Sequence, residues 1–192
     1  MAHVYEEITD RLTAFVEAQP VFFVATAPLD GDGHVNLSPK GMAGTFAVLG
    51  PHRAAYLDYT ASGAETAAHL RENGRIVLMF CAFSGPPKIV RLHGRGRYVE
   101  AGTTEFAELR TAFPKERELG QRGIVVVDVT RVSDSCGFAV PVLDFVADRD
   151  ILDRSHERRT PEYFEAYRRE RNATSIDGLP AVGADVGTSA ES

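Results

Sequence analysis

The sequence has no tryptophan, only two cysteines and no long hydrophobic run. The longest apolar run, Ile76 to Phe83, is the length of a strand, whereas a membrane-spanning helix needs about 20 apolar residues. Cys81 and Cys136 form no CxxC and no other metal-binding spacing, and the amino-terminal residues show no basic head followed by an apolar block. We therefore expect no membrane span, no secretory signal, no metal site, and free thiols in a reducing cytoplasm.

The charge balance is acidic. The 192 residues contain 21 Lys and Arg against 27 Asp and Glu, a formal net charge of −6. Binding to duplex nucleic acid depends on Lys- and Arg-rich surfaces that neutralise phosphates. The balance therefore argues against a nucleic-acid partner, while 44% hydrophobic residues predict a folded globular chain.

Strand patterns outnumber helix patterns along the chain. The first segment spaces Val4, Ile8, Leu12 and Val16 as one amphipathic helix that ends before Pro20. Segments rich in β-branched and aromatic residues, separated by turn residues, then predict a hairpin and five more strands: Val21–Ala27 with His34–Leu37, and residues 45–49, 54–58, 75–83, 88–99 and 123–132. Capping residues predict further helices at 62–73, at about 104–113 and from Thr160 onward.

This order of elements favours a mainly β fold with peripheral helices over a doubly wound sheet. Tight turns join the strands, and helices do not alternate regularly with them. We expect a largely antiparallel barrel formed by a single domain over residues 1–178. Residues 179–192 are small and polar, so we predict a disordered carboxy-terminal tail.

The first candidate site is the corner between the strand ending near Asp58 and the helix that follows. It carries the hydroxyls of Thr60, Ser62 and Thr66 beside Gly63. Unpaired amides at a helix start attract anions, and a glycine lets a ligand approach the backbone closely. The alternative is a plain capping box, in which Ser62 and the glutamate three residues later only cap the helix.

Two basic segments are further candidates. In the turn segment Asn36–Met42, Ser38 and Lys40 end a strand, and a fixed lysine can supply a point charge to a phosphate. The second basic segment is the predicted strand at residues 88–97. It carries Lys88 and Arg91, which strand alternation places on opposite faces. Solvated turn and strand cations are the alternative for both segments.

Motifs of other common catalytic and nucleotide-binding sites are missing from the sequence. There is no P-loop, HExxH or GxSxG motif, and no complete dinucleotide fingerprint. Cys136 has no recognisable partner base, so an inert thiol is the favoured interpretation. The pattern of residues therefore identifies no catalytic residue.

Several motifs in order resemble those of a known family. They are Val21-Phe-Phe-Val-Ala-Thr, His34-Val-Asn-Leu-Ser-Pro-Lys, Ala55-Tyr-Leu-Asp-Tyr-Thr-Ala-Ser-Gly, Ala67-Ala-His-Leu-Arg-Glu-Asn-Gly-Arg-Ile-Val-Leu-Met-Phe and Ile89-Val-Arg-Leu-His-Gly. Together they resemble the pyridoxamine 5′-phosphate oxidase-like, FMN-binding split-barrel family over about residues 21–132. The order and spacing of the motifs carry the resemblance.

The resemblance implies a six-stranded split barrel that dimerises, with FMN in clefts between two subunits. Lys40 would contact the cofactor, Ser62 its phosphate, and Arg91 the flavin. Authentic oxidases follow the serine with an arginine and a lysine, whereas this chain has Gly63 and Ala64. Lys40, Lys88 or Arg91 would then have to compensate. Authentic enzymes also have a carboxy-terminal tryptophan, and its absence argues against vitamin B6 oxidation.

The implied function is an FMN-dependent oxidoreductase that transfers hydride through bound flavin to or from a small-molecule substrate. A non-catalytic flavin-binding or flavin-buffering protein is the alternative. A second alternative keeps the barrel but binds a deazaflavin or haem, with His93 as the first candidate haem ligand. The apolar residues 135–145 would either cover a ring or contact a second subunit.

Overall fold

The computed structural model describes residues 3–183, and within them an antiparallel sheet of eight strands is flanked by five helices. The strands are β1 His3–Tyr5, β2 Val21–Thr26, β3 Asn36–Gly41, β4 Phe46–Gly50, β5 Arg53–Tyr59, β6 Arg75–Cys81, β7 Ile89–Glu100 and β8 Gln121–Ser135. The helices are α1 Asp10–Glu17, α2 Glu65–Glu72, α3 Thr104–Arg110, α4 Ile151–Glu157 and α5 Pro161–Arg171. None of these helices is long and apolar enough to cross a membrane.

The sheet runs in the order β3-β2-β6-β7-β8-β5-β4, and β1 pairs with β8 beside this path. Every strand pair is antiparallel. Strands β3 and β4 are the two ends of the path, so the barrel is split between them. The predicted fold class, a largely antiparallel split barrel with peripheral helices, is confirmed. The described chain has eight strands rather than six.

The barrel core follows from strand alternation. In β2 every second residue is buried, which places Phe22 and Val24 inside with Leu78 of β6 and Leu92 of β7. Helix α1 packs on the same cluster through buried residues one turn apart, Leu12 and Val16. The apolar spacing seen in the sequence therefore describes the packed faces correctly.

The amino-terminal helix begins later than predicted. Thr9 caps α1, since its hydroxyl accepts a hydrogen bond from the Leu12 amide at 3.4 Å. Val4, which was expected on that helix, instead lies in β1 opposite Ser133 of β8. The short β1 is one of the strands beyond the expected six.

Helix α2 also begins later than predicted, and the capping box is wrong. The N-cap residue is Ala64, no side chain caps the helix, and Ser62 is exposed. Gly63 adopts φ +83°, which separates Ser62 from the helix. The predicted end at Asn73 and Gly74 is confirmed, with Asn73 as C-cap and Gly74 at φ +70°.

The packed structure extends beyond residue 178, where the predicted domain ended. Helix α5 begins at Pro161 after Thr160, as expected, but α4 was missed because its charged sequence shows no apolar period. Ala181 and Val182 are buried against α2, so residues 179–183 belong to the packed structure and not to a disordered tail. The remainder of the predicted tail, residues 184–192, lies outside the described residues.

Candidate cofactor site

The corner between β5 and α2 is held in place by the carboxy-terminal helices. The Thr60 carbonyl lies 2.9 Å from Nε2 of His156, and its hydroxyl accepts a hydrogen bond from Nε of Arg168 at 3.0 Å. The Ala61 carbonyl accepts from Nδ2 of Asn172 at 3.0 Å. These contacts fix the backbone through residues at least 90 positions later in the sequence, and no local pattern predicts them.

Behind the corner lies a buried charge cluster centred on Asp58. One carboxylate oxygen accepts hydrogen bonds from Nε of Arg122 at 2.7 Å and from the Tyr98 hydroxyl at 3.1 Å. The other oxygen lies 3.5 Å from Nζ of Lys40. Arg122 also donates to the Gly63 carbonyl at 2.9 Å. One buried carboxylate thus joins the candidate lysine to the arginine that holds the corner.

The charges in this cluster stabilise one another. Burial alone would raise the pKa of Asp58, but the adjacent charges of Arg122 and Lys40 overcome it and lower the pKa below its usual value. Burial likewise disfavours the Arg122 cation, but the Asp58 carboxylate holds the Arg122 pKa above its ordinary range. Two cations share one carboxylate, so the cluster carries a net positive charge.

A second polar network joins β2, β3 and α2. Nδ2 of Asn36 donates to the hydroxyls of Thr26 and Thr66, both at 3.0 Å. The Ser38 hydroxyl donates to Oδ1 of Asn36 at 2.9 Å. The Thr26 hydroxyl also meets Nδ1 of buried His69 at 2.9 Å. The predicted residues Ser38 and Thr66 are therefore joined through an asparagine that the prediction did not select.

The charge cluster borders a cavity of about 790 Å³ between β3, β5 and the segment around α4. Lys40, Asp58 and Ala61 line it on the barrel side. The residues that line it from the carboxy-terminal segment are Phe145, Ala147, Asp148, Arg149, Ile151, Leu152 and Ser155. Nζ of Lys40 lies 5.9 Å from the centre of the Tyr56 ring, whose buried hydroxyl has no hydrogen-bond partner among the described residues.

Lys88 and Arg91 lie in another part of the sheet. Nζ of Lys88 lies 3.5 Å from Asp134 of β8, and Arg91 donates to the Ser135 hydroxyl at 3.1 Å. Lys40 of β3 pairs with Phe22 of β2, Phe22 pairs with Phe80 of β6, and Phe80 pairs with Val90 of β7. Within one chain, these two cations are therefore three strands away from Lys40.

His93 also lies on β7, and its Nδ1 atom is buried without a hydrogen-bond partner among the described residues. Burial lowers the pKa of His93, and the charges of Arg131 and Arg91 lower it further. Among residues 3–183, no group of three or more His, Cys, Asp or Glu side chains is placed to hold a metal ion.

The chain is similar to proteins of one family. The family model for pyridoxamine 5′-phosphate oxidase matches residues 8–136. A relative from Aspergillus flavus, described as the pyridoxamine 5′-phosphate oxidase family protein ustO, is 38% identical, and the match covers 93% of this chain and 77% of the relative. The chain belongs to the pyridoxamine 5′-phosphate oxidase family, as its sequence motifs predicted.

Solved structures agree with this fold assignment. HupZ from Group A Streptococcus matches with a TM-score of 0.51 at 21% identity, over 65% of this chain and 91% of HupZ. A histidine-to-alanine variant of HupZ matches with a TM-score of 0.53 at 20% identity, over 67% of this chain and 99% of the variant. These two comparisons support the split-barrel fold and say nothing of the ligand.

The sequence analysis selected the corner and Lys40 as candidates, but it did not select the residues that hold them in place. Asp58 was a possible signal, because it is a carboxylate at the end of the otherwise apolar and buried run Ala54–Leu57, and a buried carboxylate requires a partner. Arg122 and Arg168 gave no comparable signal, since strand β8 and helix α5 bring them to the corner from distant parts of the chain.

Proposed function

We propose that the protein binds FMN and acts as an oxidoreductase that transfers hydride to or from a small-molecule substrate. The observation that carries the proposal is the position of Lys40. Its ammonium lies in the wall of the 790 Å³ cavity, held 3.5 Å from Asp58 and close to the β5–α2 corner. Family membership supports the choice of FMN over a deazaflavin or haem.

The charged residues at the Lys40 end of the cavity are compatible with an anionic cofactor such as a flavin nucleotide. Lys40 and Arg149 are cations that line it, while the Asp58 carboxylate is already paired with Arg122. Asp148 also lines the cavity and offsets the charge of Arg149, so the net positive charge of the Lys40, Asp58 and Arg122 cluster is what favours an anionic ligand at that end. At the corner, Gly63 has φ +83°, and the Glu65 carboxylate lies beside it, so that a Cβ there would be 2.8 Å from Oε2 of Glu65. Of the residues predicted from the sequence, Lys40 lines this cavity. We propose that Ser38, Thr60, Ser62, Gly63 and Thr66, which lie outside its lining at the corner and in the Asn36 network, bind the remainder of the cofactor.

Bound FMN would supply the hydride acceptor and donor, so the protein needs no covalent nucleophile. The protein's part is electrostatic and positional. Asp58 holds the Lys40 ammonium at 3.5 Å, and both residues line the cavity, where the lysine charge would stabilise negative charge on a bound ring or phosphate. Asn36 fixes Ser38 and Thr66 relative to each other through its hydrogen bonds.

We also propose that the functional unit is a homodimer with the cofactor cleft at the subunit interface. Three large apolar side chains of the segment after β8 face solvent in the single chain: Phe138 is 83% exposed, Val142 80% and Val146 92%. Burial of such groups stabilises association. A second subunit is also the means by which Lys88 and Arg91 would contribute to a cofactor site.

Free Cys81 and Cys136 support a reducing compartment, the cytoplasm.

The test is the visible absorption spectrum of the purified protein before and after addition of FMN, followed by release and identification of the chromophore. The bands of oxidised flavin, and turnover with a reduced nicotinamide donor, are expected. A flavin-loaded protein that shows no turnover with any donor would support the non-catalytic alternative. A colourless protein that takes up no FMN, or one with a haem spectrum, would refute the proposal.

A further inference from the structure

A second cavity of about 660 Å³ adjoins the first. It lies between the end of α1, the start of β2, the loop from β3 to β4, and residues 143–148. Four phenylalanines from different parts of the chain line it: Phe22, whose side chain is buried in the barrel core, and the more exposed Phe46, Phe83 and Phe145. Two of these rings, Phe22 and Phe46, are in contact, with centroids 5.3 Å apart. The second cavity therefore has an aromatic wall.

The charged side chains that line this second cavity are all acidic: Glu17, Asp144 and Asp148. Within residues 3–183, none of the three has a Lys, Arg or His nitrogen within 4 Å of its carboxylate. Glu17 accepts only the Val48 amide at 3.1 Å, and Asp148 only the Ala43 amide at 3.0 Å. Acceptor capacity and negative charge therefore remain available to a ligand.

The two cavities are adjacent, and the charged side chains that line them differ. Their shared lining residues are Pro20, Val21, Gly41, Met42, Phe145 and Asp148. The cations Lys40 and Arg149 line only the first cavity. An anionic nucleotide is therefore favoured at the Lys40 end of the first cavity and repelled by the three carboxylates of the second. A molecule in the second cavity would lie next to the occupant of the first.

We propose that the second cavity binds the substrate, and that the substrate is a small organic cation with an apolar, aromatic body, such as an arylalkylamine. The phenylalanine faces would attract both the ring and the ammonium group, and the unpaired carboxylates would neutralise the charge. A phosphorylated or carboxylated substrate is disfavoured, because the second cavity offers no cation to bind it. As a statement about the substrate, this inference rests on the proposed flavin function.

The inference is tested by titration calorimetry with three probes that share a phenyl ring and a short chain: phenethylamine, phenylethanol and phenylpropionate. Each probe is titrated into the full-length protein with and without added FMN. We expect the amine to bind at least about threefold more tightly than the alcohol, since its charge meets partly exposed carboxylates. We expect the carboxylate probe to bind most weakly.

Two variants locate the binding. Asp144→Asn and Glu17→Gln remove one charge each and keep the side-chain oxygen, so each should weaken amine binding by about two- to fivefold without changing alcohol binding. Asp32→Asn is the matched control, because it removes the same charge from an exposed turn that lines neither cavity. No amine binding at millimolar concentration, no preference for the amine, or equal effects of all three variants would overturn the inference.

The experiment separates this inference from the proposed function. Amine binding by a protein that takes up no FMN would support the cation site and refute the flavin function. Normal FMN binding without selectivity for the amine would overturn the inference and leave the flavin function standing.

Discussion

Replacement of Lys40 by alanine separates its contribution to the cofactor site from its contribution to stability. Asp58 keeps its hydrogen bonds to Arg122 at 2.7 Å and Tyr98 at 3.1 Å when Lys40 is removed, so no buried charge is left unpaired. The Lys40–Asp58 pair spans 3.5 Å and the lysine side chain is 26% exposed, which limits the loss of unfolding free energy to about 1 kcal/mol. A charge-assisted contact with FMN would be worth about 1.5–3 kcal/mol, a 10- to 150-fold loss of affinity at about 1.4 kcal/mol per tenfold.

The assay is quenching of FMN fluorescence on titration with protein, paired with urea unfolding of each variant. Lys40→Arg keeps the charge and should retain most of the affinity. Lys88→Ala is a matched comparison, because Lys88 is similarly exposed at 23% and also lies 3.5 Å from an aspartate, Asp134, but lines neither cavity of the single chain. Wild-type affinity in Lys40→Ala would remove Lys40 from the cofactor site. A loss in Lys88→Ala as well would mean that a second subunit brings Lys88 to the cofactor.

Three further predictions concern the framework of the site. Arg122→Met should lower the free energy of unfolding by about 3–5 kcal/mol, because it removes the main partner of buried Asp58, and urea denaturation measures this loss. Gly94→Ala should lower the free energy of unfolding by about 1–3 kcal/mol, since a Cβ there would lie 2.2 Å from the Asp128 carbonyl oxygen. Thermal unfolding measures this loss, with Gly31→Ala as the control because a Cβ at Gly31 meets nothing within 4 Å. Because the folded pKa of Asp58 is lowered, its stabilisation is present at neutral pH and is lost as pH falls. The gap in unfolding free energy between wild type and Asp58→Asn should therefore shrink below about pH 4, and a constant gap would contradict the ionised pairing.

The sequence predicted the parts of the fold that depend on local pattern. Alternation in Val21–Thr26 and the turn residues after it were sufficient for the β2–β3 hairpin, because burial of one strand face is a local property of the chain. The sequence predicted the position of the corner between β5 and α2 along the chain but not its conformation. Its conformation depends on Arg122, Arg168 and Asn172, which reach it from distant elements. The same limit explains the wrong capping box, since the Gly63 carbonyl is bound by Arg122.

The carboxy-terminal segment also accounts for the departure from the family pattern after Ser62. Authentic oxidases are expected to carry an arginine and a lysine where this chain has Gly63 and Ala64. Ala64 is only 3% exposed and packs with Ala67, Ala181 and Val182, so the space for a long side chain is already filled. Gly63 has φ +83°, a conformation that is unfavourable for arginine.

Restoration of the pair should therefore damage this protein rather than improve it. Gly63→Arg/Ala64→Lys should reduce the free energy of unfolding by about 2–5 kcal/mol, the sum of backbone strain at one position and overpacking at the next. Urea unfolding and FMN titration of the double variant measure both effects, with Gly31→Arg in an exposed turn that lines neither cavity as control. Unchanged stability with tighter FMN binding would show that the corner can accept the family's cations, and that the packing of Ala181 and Val182 does not exclude them.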